Sequence, residues 1–305
     1  MWGIIVNPKS GKKKQKCLLN YLHKKLIDKQ IQYKCKTTAY EKHATEIARS
    51  FVENGIKNIL IIGGDGTTNE VINGIFHAKI NNTKDIRIAI IPSGTGNDWG
   101  RYWNLTRNYK KAIDIFLHGK ETPIDIGKIN YTRNGEHYQH YFINSIGFGI
   151  DCKVVQLTHK LKYYFGSHSW VYTLALIAAV FKHQPQMLNI TANNNYSFTG
   201  KLFTMNIGNG CYSGGGLRQN PDAKPTDGIF HAMFMQKPTF IDVAKGISML
   251  FKGNITEHRL MHNIISSQIN INTANPMPFE TDGIPITACG PYSIETLPNA
   301  LIMTS

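Results

Sequence analysis

Residues 59–75 read ILIIGGDGTTNEVINGI, an apolar stretch that runs into three glycines around one aspartate and then into a helical pattern. A continuous apolar run ending at a glycine turn is a strand buried within a sheet, and the helix behind it carries the chain back along a face of that sheet. The flanking segments keep the same rhythm. WGIIV is a strand, Leu18, Leu19, Leu22 and Leu26 fall at helical spacing, IQYKCK alternates, and Ala44, Ile47, Ala48, Phe51 and Val52 share one helical face that Gly55 closes. KNILII and IRIAIIP are further strands, and a helix around Ala112–His118 ends at Gly119. Strand and helix in alternation predict an α/β domain with a parallel sheet and helices on both faces over residues 1–123.

After Pro123 the pattern changes to short strands divided by Gly, Asn and Pro, with two helical stretches near Val154–Tyr164 and His168–Lys182. This reads as a mainly antiparallel β-sandwich over residues 124–292, with a last segment of about 293–305 that can return to the first domain. A chain of 305 residues is long for one core and comfortable for two. The five cysteines are scattered, odd in number and never in a CxxC pair, so neither a disulfide framework nor a zinc site is indicated. With an N-terminus that reads as a strand and not as a signal peptide, the expected setting is the cytoplasm. The longest apolar run, Trp170–Phe181, is twelve residues and falls short of the ~20 that a membrane-spanning helix needs. His258 and His262 are four apart but have no acid partner to complete a metal site.

The formal charge is +14, part of it in KSGKKKQK near the N-terminus, and an anionic partner fits that excess as a solvated basic surface also does.

Around Asp65, Gly63, Gly64 and Gly66 let a bulky anion approach the main chain, and the following helix offers it free N–H groups. An aspartate there repels a phosphate unless a cation lies between them, which points to Mg2+ with a nucleotide. A plain alternative makes Thr67 and Glu70 a capping box and the glycines a mere turn. A second such turn, PSGTGND, follows the next strand with Ser93, Gly94, Thr95, Asn97 and Asp98, and a third, NPKSG, adds Asn7, Ser10 and Lys12. The chain has no GxxxxGK[ST], and SIGFGIDCKVV has Cys152 where a dinucleotide fingerprint needs a glycine, so a P-loop enzyme and an NAD oxidoreductase are excluded.

GGDGTTNEV, PSGTGND, the later YSGGG with PDAKPTDG, and the final TDG, in this order, resemble the diacylglycerol kinase catalytic-domain family of lipid kinases, which includes the sphingosine and ceramide kinases. The resemblance implies transfer of the γ-phosphoryl group of ATP to a lipid hydroxyl, at a membrane surface with anionic phospholipid as partner and no nucleic acid. It implies nucleotide contacts at Asn7, Thr38, Gly63, Gly64, Asp65, Gly66, Thr67, Thr68, Asn69, Glu70, Gly94 and Thr95, with Ser10 as a further candidate. Asp65 and Asp98 would organise the active-site Mg2+. A second metal would use the Asp227 carboxylate with backbone groups of Lys224 and Ile229, where a hairpin turn is equally compatible. A kinase for a soluble acceptor such as NAD, and a lipid- or nucleotide-binding protein without catalysis, stay open, as does a homodimer.

The chain departs from the family at one position. Relatives commonly read DGE where this sequence reads DGI, with Ile284 in the place of the glutamate often assigned as proton acceptor. Asp282 keeps the position before the glycine and is expected to be the base, with Glu280, two residues away on the same face of an extended strand, as the substitute.

Overall fold

The computed structural model describes residues 1–11, 15–166, 169–193, 195–236 and 238–305. The chain divides into two compact units, Met1–Ile124 with Asn299–Ser305, and Asp125–Pro298.

In the first unit the elements are β1 (Trp2–Val6), α1 (Gln15–Asp28), β2 (Tyr33–Thr37), α2 (His43–Glu53), β3 (Asn58–Gly63), α3 (Asp65–Phe76), β4 (Arg87–Pro92), α4 (Asp98–Tyr102) and α5 (Tyr109–His118). The strands pair in parallel in the order β2-β1-β3-β4, and the C-terminal residues Ile302–Thr304 add alongside β4. Side-chain alternation sorts the core. Ile4 and Val6 pack with Leu22 and Leu26 of α1 and Ile113 of α5, while at Gly3, on the other pleat, a side chain would strike Phe51 of α2. Helices therefore cover both faces, as the strand–helix rhythm predicts. Because β2 and β3 flank β1 on opposite sides, the chain reverses its direction of travel across the sheet between β1 and β3. In such sheets the crevice at the carboxyl ends of those two strands is where ligands bind.

The second unit begins within β5 (Glu121–Arg133) and continues through β6 (Glu136–Phe142), β7 (Ser145–Gly149), α6 (Ile150–Phe165), α7 (Ser169–Lys182), β8 (Gln186–Ala192), β9 (Tyr196–Leu202), β10 (Thr204–Gly208), β11 (Phe230–Met235), α8 (Phe240–Lys252), β12 (Met261–Ser266), β13 (Gln268–Thr273), β14 (Phe279–Thr281), β15 (Ile284–Ile286) and β16 (Cys289–Thr304). One antiparallel sheet runs β12-β11-β10-β7-β14-β15, and β9-β8-β13 pairs with the first part of β16 in the other. Phe148, Phe230, Phe234 and Phe279 of the first sheet pack with Ile190, Ile271 and Tyr292 of the second in one buried cluster. This is the antiparallel sandwich that the sequence predicts.

The helix count differs from that reading, because α8 is a third helix in this half. Its start is fixed by a capping box in which Thr239 and Asp242 bond each other's main-chain N–H. His258 and His262 lie on a turn and on β12, so their spacing of four is not a helical one.

Candidate active site

The loops at the carboxyl ends of β1, β3 and β4 meet. Asn7 donates its main-chain N–H to Ile62 and its side-chain amide to Thr67 Oγ1 at 2.8 Å, closing the crevice between β1 and β3. Ser10 and Ser93 hydroxyls pair at 2.9 Å, and Thr38 is buried beside Asn7 with its N–H on Val6. Lys12, expected as a phosphate contact, lies outside the described residues. A Cβ on Gly64 would sit 3.0 Å from Gly94 Cα, and one on Gly94 would sit 2.6 Å from Gly64 Cα, so the two glycine turns touch main chain to main chain. Asn97, held at φ 52° in the left-handed region, accepts the Gly94 N–H and donates to the Gly94 carbonyl, which fixes the second turn from inside.

At the mouth of these turns the carboxylates of Asp65 and Asp98 converge. A Cβ on Gly96 would lie 2.9 Å from Asp65 Oδ2 and 3.4 Å from Asp98 Oδ2. Burial raises the Asp65 carboxyl above its ordinary range, against the main-chain N–H groups of Asp98, Trp99 and Asn97, which favour the charged form. Arg101 Nε lies 3.6 Å from Asp98 Oδ1, while Oδ2 of Asp65 and Oδ2 of Asp98 flank one point at Gly96 and offer two hard oxygen ligands, a donor set that fits Mg2+. Among the described residues no cluster of three or more His, Cys, Asp or Glu forms a ready-made metal cage. Ions held by few carboxylates together with phosphate oxygens have that character.

One expectation at this site changes. The helix α3 starts from Gly64 with no side-chain cap, so Thr67 and Glu70 do not form a capping box. Glu70 instead turns to the neighbouring helix, where its two oxygens accept the N–H groups of Lys42 at 3.1 Å and Ala44 at 3.2 Å. It staples α2 to α3 through both carboxylate oxygens.

In the second unit Glu280 and Asp282 separate. Only Phe279–Thr281 are strand, and Asp282 sits at φ 49° in the turn that follows, so the two side chains do not share a strand face. Asp282 Oδ1 accepts the N–H of Asn144 and of Ser145, and Oδ2 that of Ile143, at 2.9–3.0 Å. Its carboxylate clamps the entrance to β7 and has three main-chain donors already in place. Glu280 is 5% exposed and accepts the Gly283 N–H through Oε2. Its other oxygen, Oε1, lies 2.7 Å from where a Gly147 Cβ would be, and Asp151 Oδ2 is 3.2 Å from that same point. Gly147 is thus the gap over which two carboxylates face each other.

Asp151 is the residue that sequence reasoning missed. It accepts from Thr204 Oγ1 at 2.8 Å, Gln219 Nε2 at 2.7 Å and Asn206 Nδ2 at 3.3 Å, and burial outweighs these bonds to push its carboxyl up to about 6. The same burial, with the charges of Glu280 and Asp151, pushes the neighbouring Cys152 thiol up to about 12. Asp151, Thr204, Asn206 and Gln219 form the polar part of a groove whose remaining lining is apolar, from Leu176 and Val180 of α7 to Val243, Ile247 and Leu250 of α8. The signal available in the sequence was an acidic residue two positions after the apolar strand SIGFG.

The turn expected to hold a second metal carries its own hydrogen bonds. Asp227 is exposed, and its Oδ1 accepts the Ile229 N–H at 3.3 Å across the turn, next to Lys224. The buried acid of this segment is Asp125, which is 1% exposed, accepts the Gly228 N–H at 2.7 Å and donates its own N–H to Pro225. These bonds are those of a side-chain-supported turn.

Residues 1–129 match the diacylglycerol kinase catalytic domain, and residues 144–305 match the YegS C-terminal NAD kinase beta sandwich-like domain. A diacylglycerol kinase of Staphylococcus saprophyticus is 32% identical over 284 residues, covering 92% of this chain and 87% of that protein. In fold, the chain is similar to a crystal structure of a Bacillus anthracis diacylglycerol kinase (TM-score 0.72, 21% identity, 99% of this chain and 96% of that one). It is similar also to a yeast NADH kinase solved with NADH (TM-score 0.54, 11% identity, 99% of this chain and 82% of that one). With two consecutive domain matches and a relative at that identity along almost its whole length, the chain belongs to the diacylglycerol kinase family.

Proposed function

We propose that this protein is an ATP- and Mg2+-dependent lipid kinase that phosphorylates a hydroxyl of diacylglycerol or a similar lipid at the surface of a membrane. The observation that carries the lipid over a soluble acceptor is the apolar groove ending in Asp151 and its three hydrogen-bond donors. An apolar channel closed by one fixed polar cluster suits a long chain with a single hydroxylated end, and a dinucleotide would leave that lining unused.

On this reading the first unit holds the donor. The N–H groups at the start of α3 and the glycine turns 63–66 and 93–97 would receive phosphate oxygens, and Asp65 and Asp98 would hold the metal. When bound, Mg2+ neutralises charge on the phosphate oxygens and ATP supplies the group transferred. The second unit holds the acceptor. Asp151 orients the lipid hydroxyl, and Glu280 takes the base role expected of Asp282, because it faces Asp151 over Gly147 while Asp282 is bound up in three main-chain bonds. Phosphoryl transfer through a loose transition state asks mostly for positioning, so a buried glutamate suffices as proton acceptor.

The test is ADP release with a panel of acceptors. Release with dispersed diacylglycerol, monoacylglycerol or a long-chain base is expected. Release with NAD alone would replace this reading by the soluble-acceptor one, and nucleotide binding without turnover would make the protein a binding module.

Asp151 adds a pH signature. Its carboxyl is raised to about 6, so it is ionised and able only to accept at pH 7, and becomes protonated as pH falls through that value. The specificity constant for the lipid should therefore fall below pH 6 in the wild type. Asp151→Asn should start low and lose this limb of the profile. An unchanged limb in the variant would remove Asp151 from acceptor recognition.

A further inference from the structure

The 14-residue helix α7, SWVYTLALIAAVFK, contains no acidic residue and has no polar face among its described side chains, 170–180. Val171, Ala175 and Ala179 are fully buried on its inner side, yet Trp170, Leu174 and Ile177 (i, i+4, i+7) lie on another face with 50%, 41% and 46% of their surface exposed. A surface helix of a soluble protein carries polar residues there. The exposed apolar surface does not stop with α7. At the C-terminal end of α6, Tyr163 and Tyr164 are 85% and 77% exposed, and Phe165 stacks edge-on against Trp170 with ring centroids 5.7 Å apart. On α8, Phe240, Ile241 and Phe251 are exposed as well, and Val243 of α8 joins α6 and α7 in one cluster.

We infer that this aromatic and aliphatic face of α6, α7 and α8 is the surface by which the protein lies on a bilayer bearing anionic headgroups. The inference rests on the lipid-kinase reading for its purpose and not for its observations. Among the described residues no helix is long and apolar enough to cross a membrane, and α7, at about 21 Å for 14 residues, is shorter than the ~30 Å hydrocarbon layer. A helix of this kind lies in the interface plane, where Trp and Tyr rings sit at headgroup level.

Charge selects the bilayer over a second copy of the chain. Lys153, Lys160 and Lys162 of α6 and Lys245 and Lys252 of α8 accompany the apolar residues. The acids of these helices are turned inward, Asp242 into the α8 cap and Arg259, and Asp151 into Thr204 and Gln219. Two copies meeting through this face would bring lysine to lysine, whereas anionic headgroups neutralise them. The face also adjoins the groove on both helices. Ile177 follows the lining residue Leu176, and Phe251 follows the lining residue Leu250. A lipid passing from bilayer to groove would then travel along apolar surface.

The experiment is sedimentation of the full chain with sucrose-loaded phosphatidylcholine vesicles doped with phosphatidylglycerol. The combined variant Trp170→Ser, Leu174→Ser, Ile177→Ser should lose at least about tenfold in vesicle partition. Its turnover on short-chain diacylglycerol dispersed in detergent should stay within about twofold, since none of the three lines the groove. As a readout that needs no triple variant, tryptophan emission of the wild type should shift to the blue when vesicles are added, and Trp170→Phe should lack that shift. Wild-type partition in the variant, or no emission change in the wild type, would overturn the inference. So would a wild-type dimer that becomes a monomer in the variant while vesicle binding is unaffected, which would make the face an interface between copies. If instead no lipid is ever phosphorylated but vesicle binding still depends on Trp170, Leu174 and Ile177, the kinase reading fails and the docking surface stands.

Discussion

Glu280→Gln is expected to fold, to melt with the wild type and to phosphorylate lipid about 10²–10⁴-fold more slowly, which is the usual worth of a positioned general base. The amide keeps an oxygen for the Gly283 N–H, so the turn at 282–283 survives, but it cannot take a proton. The matching experiment at Asp282 should give the opposite pattern. Asp282→Asn keeps one oxygen for Asn144 and Ser145 and sets an NH2 group against the Ile143 N–H. Its melting temperature should fall, while the folded fraction turns over within about fivefold of the wild type, because the lost term is a structural hydrogen bond worth about 1–3 kcal/mol. Thermal melts and steady-state rates on both variants separate the two roles. If Asp282→Asn is stable and dead while Glu280→Gln is active, the base is Asp282 after all.

If Asp65 holds the metal as proposed, Asp65→Asn should reduce turnover below about a tenth of wild type with the fold intact, through loss of that charge. The substitution preserves volume, and the Asn oxygen can still accept the Trp99 N–H that now reaches Asp65 Oδ1 at 3.4 Å. The variant should also demand more Mg2+ for half-maximal rate, a shift that a purely structural role would not produce. Activity near wild type with unchanged melting would detach Asp65 from the metal.

Much of the first unit can be read in the chain because its signals are local. Apolar runs such as ILII, helical spacing from Leu18 to Leu26, and glycine turns after β3 and β4 each mark their own element, and parallel pairing follows from their alternation. The partner of a polar side chain is a different kind of fact. Thr67 and Glu70 match the spacing of a capping box, yet Glu70 caps α2, an element some 26 residues away in sequence, because the packing of α2 on α3 puts two better donors in reach. The pair Glu280 and Asp282 failed for a related reason. Spacing of two implies one face only while the chain stays extended, and the left-handed turn at Asp282 ends the strand one residue too soon. Asp151 was missed as a site residue because its meaning comes from Thr204 and Asn206 on β10 and Gln219 in the loop after it, more than fifty residues along the chain. In α8 the signal was present, in Thr239 and Asp242 ahead of an apolar period, and was outweighed by the surrounding strands.

The contact between Gly64 and Gly94 bears on how such a sequence can drift. A methyl group at either position would press on the other's Cα, at 3.0 Å in one direction and 2.6 Å in the other, so each residue is small on its neighbour's account as well as its own. Once one of them gains a side chain and the loops have parted, a side chain on the second meets less resistance. The costs of Gly64→Ala and Gly94→Ala should therefore fail to add, the double substitution being milder than the sum of the single ones. For a lineage, this makes the first step the steep one: two separate stretches of chain, thirty residues apart, are tied into a single heritable character.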